Sequence, residues 1–344
     1  MAKTTHTHYD SAEARILRNS SIADAIMASE GTRFDSVDSA SVFFARELDH
    51  VKTKSYDVEY PELTALSLFP ISNEADAGAE TITYYTYDKS GVAKIIDNYS
   101  TDLPRADVTG KPNTAHIRSI GDSYGYSVQE MRASRLAGKG LDARKGEAAR
   151  YQIDNKTNKI AWAGDPDHGL LGILSAGQNI PLYTLPQNAA GTSIKWKDKT
   201  CDEILADVNG MAAQVAKTTK NVERPDTLCL PADVYMDIAT RRLPDTNATV
   251  LSFLEEHSPY IKNIVSVAEL NADSTETNPY ASQDKGVALL FKNDPSKMTL
   301  EIPMPFMQHQ IQTRGLETIV PCESRVAGII VYYPMSALIA VGLS

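Results

Sequence analysis

The chain has 344 residues, a formal net charge of −10, and 42% hydrophobic and 23% charged residues. These proportions exclude wholesale disorder, and the length allows one large or two modest domains. The acidic balance argues against a protein whose task is gripping phosphate backbones, but not against a wall that encloses nucleic acid.

In chain order, residues 1–50 are polar, with short helical patches such as 21–27, and read as an arm that needs a partner surface. Extended segments broken by Pro61 and Pro70 are expected over 49–71. Residues 81–87 (TITYYTY) have a strand composition, 88–91 (DKSG) have turn chemistry, and 92–96 look extended again. A polar stretch with Pro104, Gly110 and Pro112 follows, and strand character resumes at 116–120. Residues 80–126 therefore read as a β-excursion with a polar tip and no core of its own. Ordering it is costly unless something outside the monomer packs on it.

Ser127 and Glu130 match a capping box that opens a helix ending near Gly138 and Gly140. A second helix is predicted from Leu141 to Trp162, with Leu141, Ala148, Ala149, Ile153 and Ile160 near helical spacing. It would run about 25–30 Å. Its other faces carry Arg144, Lys145, Glu147, Arg150, Asp154 and Lys156.

A turn cluster at 163–169 ends this helix. Beyond it, helices are predicted over 202–218, from about 231, and over 250–256. Strands are predicted over 227–230, 263–267, 286–291, 298–302, 308–320, 326–333 and 337–341. The longest uncharged stretch, 327–342, contains Pro334 and is too short for a comfortable membrane span, so two adjacent buried strands are expected there. Cys201, Cys229 and Cys322 form no CxxC pair, and the first residues lack the apolar core of a signal peptide. Both features lead to the expectation of a soluble protein made in a reducing cytoplasm, with no membrane partner.

Asp165, Asp167 and His168 are the one loop cluster with metal-ligand chemistry, and they define a metal-dependent enzyme as an alternative. Their spacing fits no EF-hand, and Pro166 and Gly169 make a helix-terminating turn the simpler account. His6 and His8 lie in the arm. Gly138-Lys139-Gly140 lacks P-loop spacing, Glu255-Glu256 suits a solvated helix face, and no G-x-S-x-G or H-E-x-x-H occurs. No catalytic residue, cofactor or metal site is expected. A partner-demanding arm, a projecting β-excursion and one long helix favour a protein whose function is its interfaces.

That order of elements resembles the tailed-bacteriophage capsid fold, an α+β architecture shared by encapsulins and the herpesvirus shell floor. The residues that carry the likeness are Gly91, Ala93, Lys94, Asp102-Leu103-Pro104, Tyr124 to Ser127, Glu130, Leu141 to Lys145, Ala148-Ala149, Asn158 to Asp165 and Gly169 to Gly172. Cys322 to Arg325 and Gly328 to Pro334 complete the set. The resemblance implies an N-terminal arm (1–50) and a peripheral domain (51–83 and 113–165) with a spine helix at 141–160. It further implies an extended β-hairpin loop (84–112) lying over a neighbour, a mixed α/β axial domain (166–300) and closing strands (301–344).

On this likeness the chain self-assembles as pentamers and hexamers into an icosahedral head shell around double-stranded DNA, which it does not read by sequence. It would be assembled in the host bacterial cytoplasm and reside in the virion. Portal, scaffolding and decoration proteins are the implied partners. An encapsulin-type compartment is the nearest alternative, and a tail or baseplate component fits the long helix poorly. Lys94, Asp102, Arg105 and Lys111 are the expected subunit-interface residues, and an uncrosslinked shell is preferred over a covalently joined one.

Overall fold

A computed structural model describes residues 58, 60–95, 103–137, 141–283 and 285–344, all but Val58 and Tyr60 within the unit Pro61–Ser344. The arm expected at 1–50 lies outside the described residues. In chain order the elements are α1 (Thr64–Leu68), β1 (Ile71–Ser72), β2 (Thr81–Ser90), β3 (Asp107–His116), β4 (Arg118–Ser127), α2 (Val128–Ala137) and α3 (Leu141–Trp162). Then come β5 (Gly164–Asp165), β6 (Leu170–Leu171), β7 (Leu182–Tyr183), α4 (Cys201–Thr218), β8 (Thr227–Pro231), α5 (Ala232–Thr240), α6 (Val250–His257) and β9 (Asn263–Val267). The chain closes with β10 (Val287–Phe291), β11 (Met298–Glu301), β12 (Met304–Gln308), β13 (Gln312–Arg314), β14 (Glu317–Val326), β15 (Gly328–Val331) and β16 (Ala337–Val341). The architecture is α+β, as the sequence leads one to expect.

The organising layer is the sheet β7–β16–β10–β8–β9. Its strands β8 and β10 are buried at every position, and the two-residue period sends alternate side chains to opposite faces. Leu228, Leu230, Ala288, Leu290, Leu338 and Ala340 meet α4, α5 and α6. Cys229, Val287, Leu289, Phe291, Ala337 and Ile339 meet Phe69, Trp162 and the residues of β11 and β15. One sheet thus serves two cores. Helix α4 supplies its side with Ile204, Val208, Met211 and Val215, the spacing of one helical stripe. Its start is fixed by the Thr200–Glu203 capping box.

The second sheet, β1–β11–β15–β6–β5, packs on the far side of that shared core. A third sheet pairs β4 with all ten residues of β14, whose other edge takes β12 and β13. Helix α3 lies on it through Ala149 and Ile153, against Cys322, Ile120, Tyr124 and Phe306. Gly328, at φ +79, opens β15 two residues after the end of β14, and its missing Cβ would fall 2.4 Å from the Leu171 carbonyl oxygen. No other residue fits there, and the turn moves the chain from the third sheet into the second.

Several expectations are corrected. Residues 88–91 are not a turn: β2 continues to Ser90, which pairs with Asp107. Gly110 and Pro112 lie inside β3, tolerated because a two-stranded ribbon leaves each strand one open edge. Residues 118–126 belong to β4 and the third sheet, not to the excursion. Residues 64–68 form a short helix where extended chain is expected. The single strand expected at 308–320 is a hairpin, turned at Gly315 with φ +59. The strands within 327–342 are both buried, but β15 and β16 enter different sheets.

Candidate assembly surface

The β2–β3 hairpin is ten residue pairs long, from Thr81↔His116 to Ser90↔Asp107. Its two faces differ. Ile82, Tyr84 and Thr86 with Asn113 and Ala115 are half-buried, and the Tyr84 ring meets Tyr332 edge-on at 5.1 Å. The opposite face carries Tyr85, Tyr87, Val108 and Pro112, all exposed. Tyr85 and Tyr87 stack with centroids 6.4 Å apart, and the Tyr87 ring covers the bare Cα of Gly110. No core lies beneath this face. A two-stranded ribbon is marginal by itself, so its ordering in a shell depends on what covers it.

Of the residues singled out from sequence, Lys94 and Arg105 are exposed beside the far end of the hairpin, where Gly91 approaches Ala106. Lys111 is exposed in β3 opposite Thr86, whose hydroxyl donates to the Lys111 carbonyl at 3.3 Å. Five residues along the strand separate it from that end, roughly 17 Å. Asp102 lies outside the described residues. The structure therefore spreads the charged set along one hairpin instead of gathering it at a point.

The Asp165 loop is an ion-paired turn. The Asp165 carboxylate takes the Lys156 ammonium at 3.1 Å and the His168 Nδ1 at 2.9 Å. The hydrogen bond from His168, with support from Lys156, holds its carboxyl below the ordinary aspartate value. Asp167 and His168 are exposed on a 3₁₀ turn that Gly169 closes in left-handed geometry. Among the described residues no three His, Cys, Asp or Glu side chains are grouped to hold a metal ion.

A family model for the major capsid protein matches residues 91–342, nearly three-quarters of the chain. The chain belongs to the major capsid protein family. No curated protein matches it. Among solved structures it is similar to the capsid of the Myoviridae phage XM1, at 19% identity over 88% of this chain and 99% of that one, with a TM-score of 0.72. The capsid of an empty GTA particle aligns at 7% identity over 89% and 99% of the two chains, with a TM-score of 0.61. A virus-like particle from Pyrococcus furiosus aligns at 11% identity over 80% and 91%, with a TM-score of 0.51. At these identities the structural likenesses establish the tailed-phage capsid fold, and the family establishes a shell-forming structural protein of the virion capsid.

Two polar sets of this capsid protein, one buried and one partly buried, escape sequence reading. Asn158 on α3 accepts from the Ala65 N–H at 2.9 Å and donates to Glu269 at 2.8 Å, tying α1 and the loop after β9 to the long helix. Arg241 donates to the carbonyls of Trp196 and Lys199 and to Asp237, fixing the segment before α4. Asp237 and Arg241 are four residues apart, but the other partners lie tens of residues away and leave no periodic signature. On the outer face of the third sheet, Ser119, Gly121, Ser123, His309, Pro321 and Glu323 line a shallow groove. The regular small-residue alternation of β4 was the available signal for that face.

Proposed function

We propose that this major capsid protein forms the icosahedral head shell of a tailed bacteriophage, as pentamers and hexamers around double-stranded DNA. The observation that carries the reading is the hairpin face of Tyr85, Tyr87, Val108 and Pro112, exposed along a ribbon with no core of its own. Such a face suits a surface covered in assembly, and the hairpin lies over a neighbouring subunit. Lys94, Asp102, Arg105 and Lys111 make charged contacts with that neighbour; the exposure of Lys94, Arg105 and Lys111 supports this role.

The arm at 1–50 reaches another subunit, residues 51–83 and 113–165 form the peripheral domain, and 166–300 form the axial domain at capsomer centres. Residues 301–344 join the two, an arrangement supported by β16 lying inside the sheet of β8 and β10. Assembly takes place in the host bacterial cytoplasm with a portal and a separate scaffolding protein, and decoration proteins bind the finished shell. Many modest contacts, closed on themselves, hold the particle together.

Negative-stain microscopy and size-exclusion chromatography of the overexpressed chain test the reading. Closed shells or pentameric and hexameric capsomers are expected. A persistent monomer, even with a candidate scaffolding protein added, would sink it. The likeness to the Pyrococcus furiosus virus-like particle favours one second reading, an encapsulin-type compartment. Particles purified with a protein cargo and no DNA would select it.

A further inference from the structure

The ion-paired turn at 165–169 stands against the root of the β2–β3 hairpin. Ile117, between β3 and β4, is buried and donates its N–H to the Glu80 carbonyl at 2.9 Å. Both of its chain neighbours reach the turn. The His116 ring lies beside Gly169, whose missing Cβ would fall 3.3 Å from it, and the Arg118 Nε donates to the His168 carbonyl at 3.2 Å. The turn itself is tied to the body twice. Leu170, which follows it, is buried in the core shared by the two sheets, and Lys156 of α3 holds the Asp165 carboxylate at 3.1 Å. That carboxylate also takes His168 at 2.9 Å, and only 15% of its side chain is exposed. The pairing is therefore less weakened by solvent than an open surface ion pair.

Strand alternation places the root contacts on opposite faces of the ribbon. His116 shares the face of Tyr85 and Tyr87, since it pairs with Thr81 in the same register. Tyr84, on the other face, stands edge-on to Tyr332 at 5.1 Å, and the Tyr332 hydroxyl is bonded to Thr299 at 2.9 Å. The root is thus held from both sides, by Tyr332 on one and by the turn on the other. The ladder from Thr81↔His116 to Ser90↔Asp107 is about 30 Å long. A tilt of about 10° at the root carries its far end about 5 Å, more than the roughly 4 Å over which side chains touch.

We propose that the 165–169 turn is a seat that sets the angle at which the hairpin leaves the body, with Asp165 coupling that angle to α3. Asp165, Lys156, His168 and Arg118 are then positioning residues. They act on a neighbouring subunit only through the direction in which Tyr85 and Tyr87 are presented. The effect on assembly rests on the shell-forming role, whereas the seat belongs to the free subunit and is tested there.

Spin labels at Lys89→Cys, near the far end of the hairpin, and at Lys217→Cys, on α4, read the angle as a distance distribution. Cys201→Ser removes the half-buried thiol, and Cys229 and Cys322 are buried. Asp165→Asn and Arg118→Leu break the seat from its two ends. Each should broaden the distribution about twofold, and the double variant should add little, because both act through one turn. Particle yield of the two variants should fall several-fold at matched concentration. Thr249→Ala removes the cap of α6, a loss of stability elsewhere, and should leave the width unchanged.

Arg118 is exposed, so its variant covers the case in which Asp165→Asn does not fold. An unchanged width in a folded seat variant, equal broadening in Thr249→Ala, or additive broadening in the double variant overturns the seat. Broadening with undiminished particle yield overturns its link to assembly. A wild-type chain that never forms particles overturns the shell reading, and the width measurements still decide the seat.

Discussion

The Lys199 ammonium lies 2.6 Å from the Asp207 carboxylate, and only 1% and 3% of the two side chains are exposed. The same carboxylate accepts from the Trp196 indole at 2.9 Å, and the ammonium also donates to the Pro186 carbonyl at 2.6 Å. Burial holds the Asp207 carboxyl above its ordinary value, against the pull of Lys199 and Trp196. The group pins the segment before α4 to that helix. A buried pair adds little net stability, but removing one partner strands a charge. Lys199→Met should cost about 3–5 kcal/mol, and adding Asp207→Leu should recover most of it. Urea unfolding of free subunits checks this; a double variant no more stable than the single one refutes the pairing.

Gly328→Ala should be among the most damaging single-methyl changes in the chain. Both the positive φ and the Leu171 carbonyl at 2.4 Å oppose a Cβ. A loss of roughly 3 kcal/mol or more is expected, read as lower soluble yield and a lower melting temperature. Gly315→Ala, also at positive φ but with nothing within 4 Å, should cost only about 1 kcal/mol.

The Ser127 hydroxyl accepts from the Glu130 N–H at 3.1 Å, and Glu130 returns the bond to the Ser127 N–H at 3.0 Å. Ser127→Ala should cost about 1 kcal/mol, while Ser127→Asp should be nearly neutral. Thermal melts of the two variants side by side decide it.

Asp165 gives a signed pH effect. Its folded-state pKa is lowered, chiefly by His168. Its stabilisation is therefore present above pH about 4 and is lost as the pH falls through the folded value. Asp165→Asn should flatten the acid limb of melting temperature against pH. Asp167→Ala, at an exposed position, should leave both melting and assembly unchanged. Stoichiometric metal in the purified protein, abolished by that change, would contradict the ion-paired turn.

Exposed residues of the hairpin should separate stability from assembly. Tyr85→Ser with Tyr87→Ser should shift subunit stability by no more than about 1 kcal/mol. It should lower particle yield at low protein concentration. Charge reversal at Lys94, Arg105 and Lys111 should do the same, most visibly at low salt and high dilution. Normal particles under those conditions would remove these residues from the interface.

Strands 263–267 and 337–341 are legible to the residue, because an apolar β-branched run between turn residues leaves little freedom. The Ser127–Glu130 cap and the helix from Leu141 to Trp162 are equally plain. The misreadings fall where a partner strand outweighs local chemistry. Residues 88–91 carry turn composition, yet the ladder that pairs Lys89 with Val108 carries them on as strand. Residues 308–320 look continuous because one glycine, Gly315, makes the whole turn. The candidate surface was legible as charged residues in a loop, but not as two unlike faces, since that division needs the register of Tyr85 against Pro112. The Lys199–Asp207 contact leaves no pattern, because only the folded path of 184–200 brings the charges together.

The position of β16 bears on how the polypeptide is made. Residues 337–341 sit between β7 and β10 and feed side chains to both cores, yet they follow every other strand described here in the chain. Until they emerge, one edge of β10 lacks its partner along all five residues. Completion of the central layer therefore waits for residues 337–341, and its contacts, distant in sequence, close slowly. A chain that stops short of residue 337 lacks the strand that joins β7 to β10, so the connectivity of the fold ties the central layer to its most distant segment.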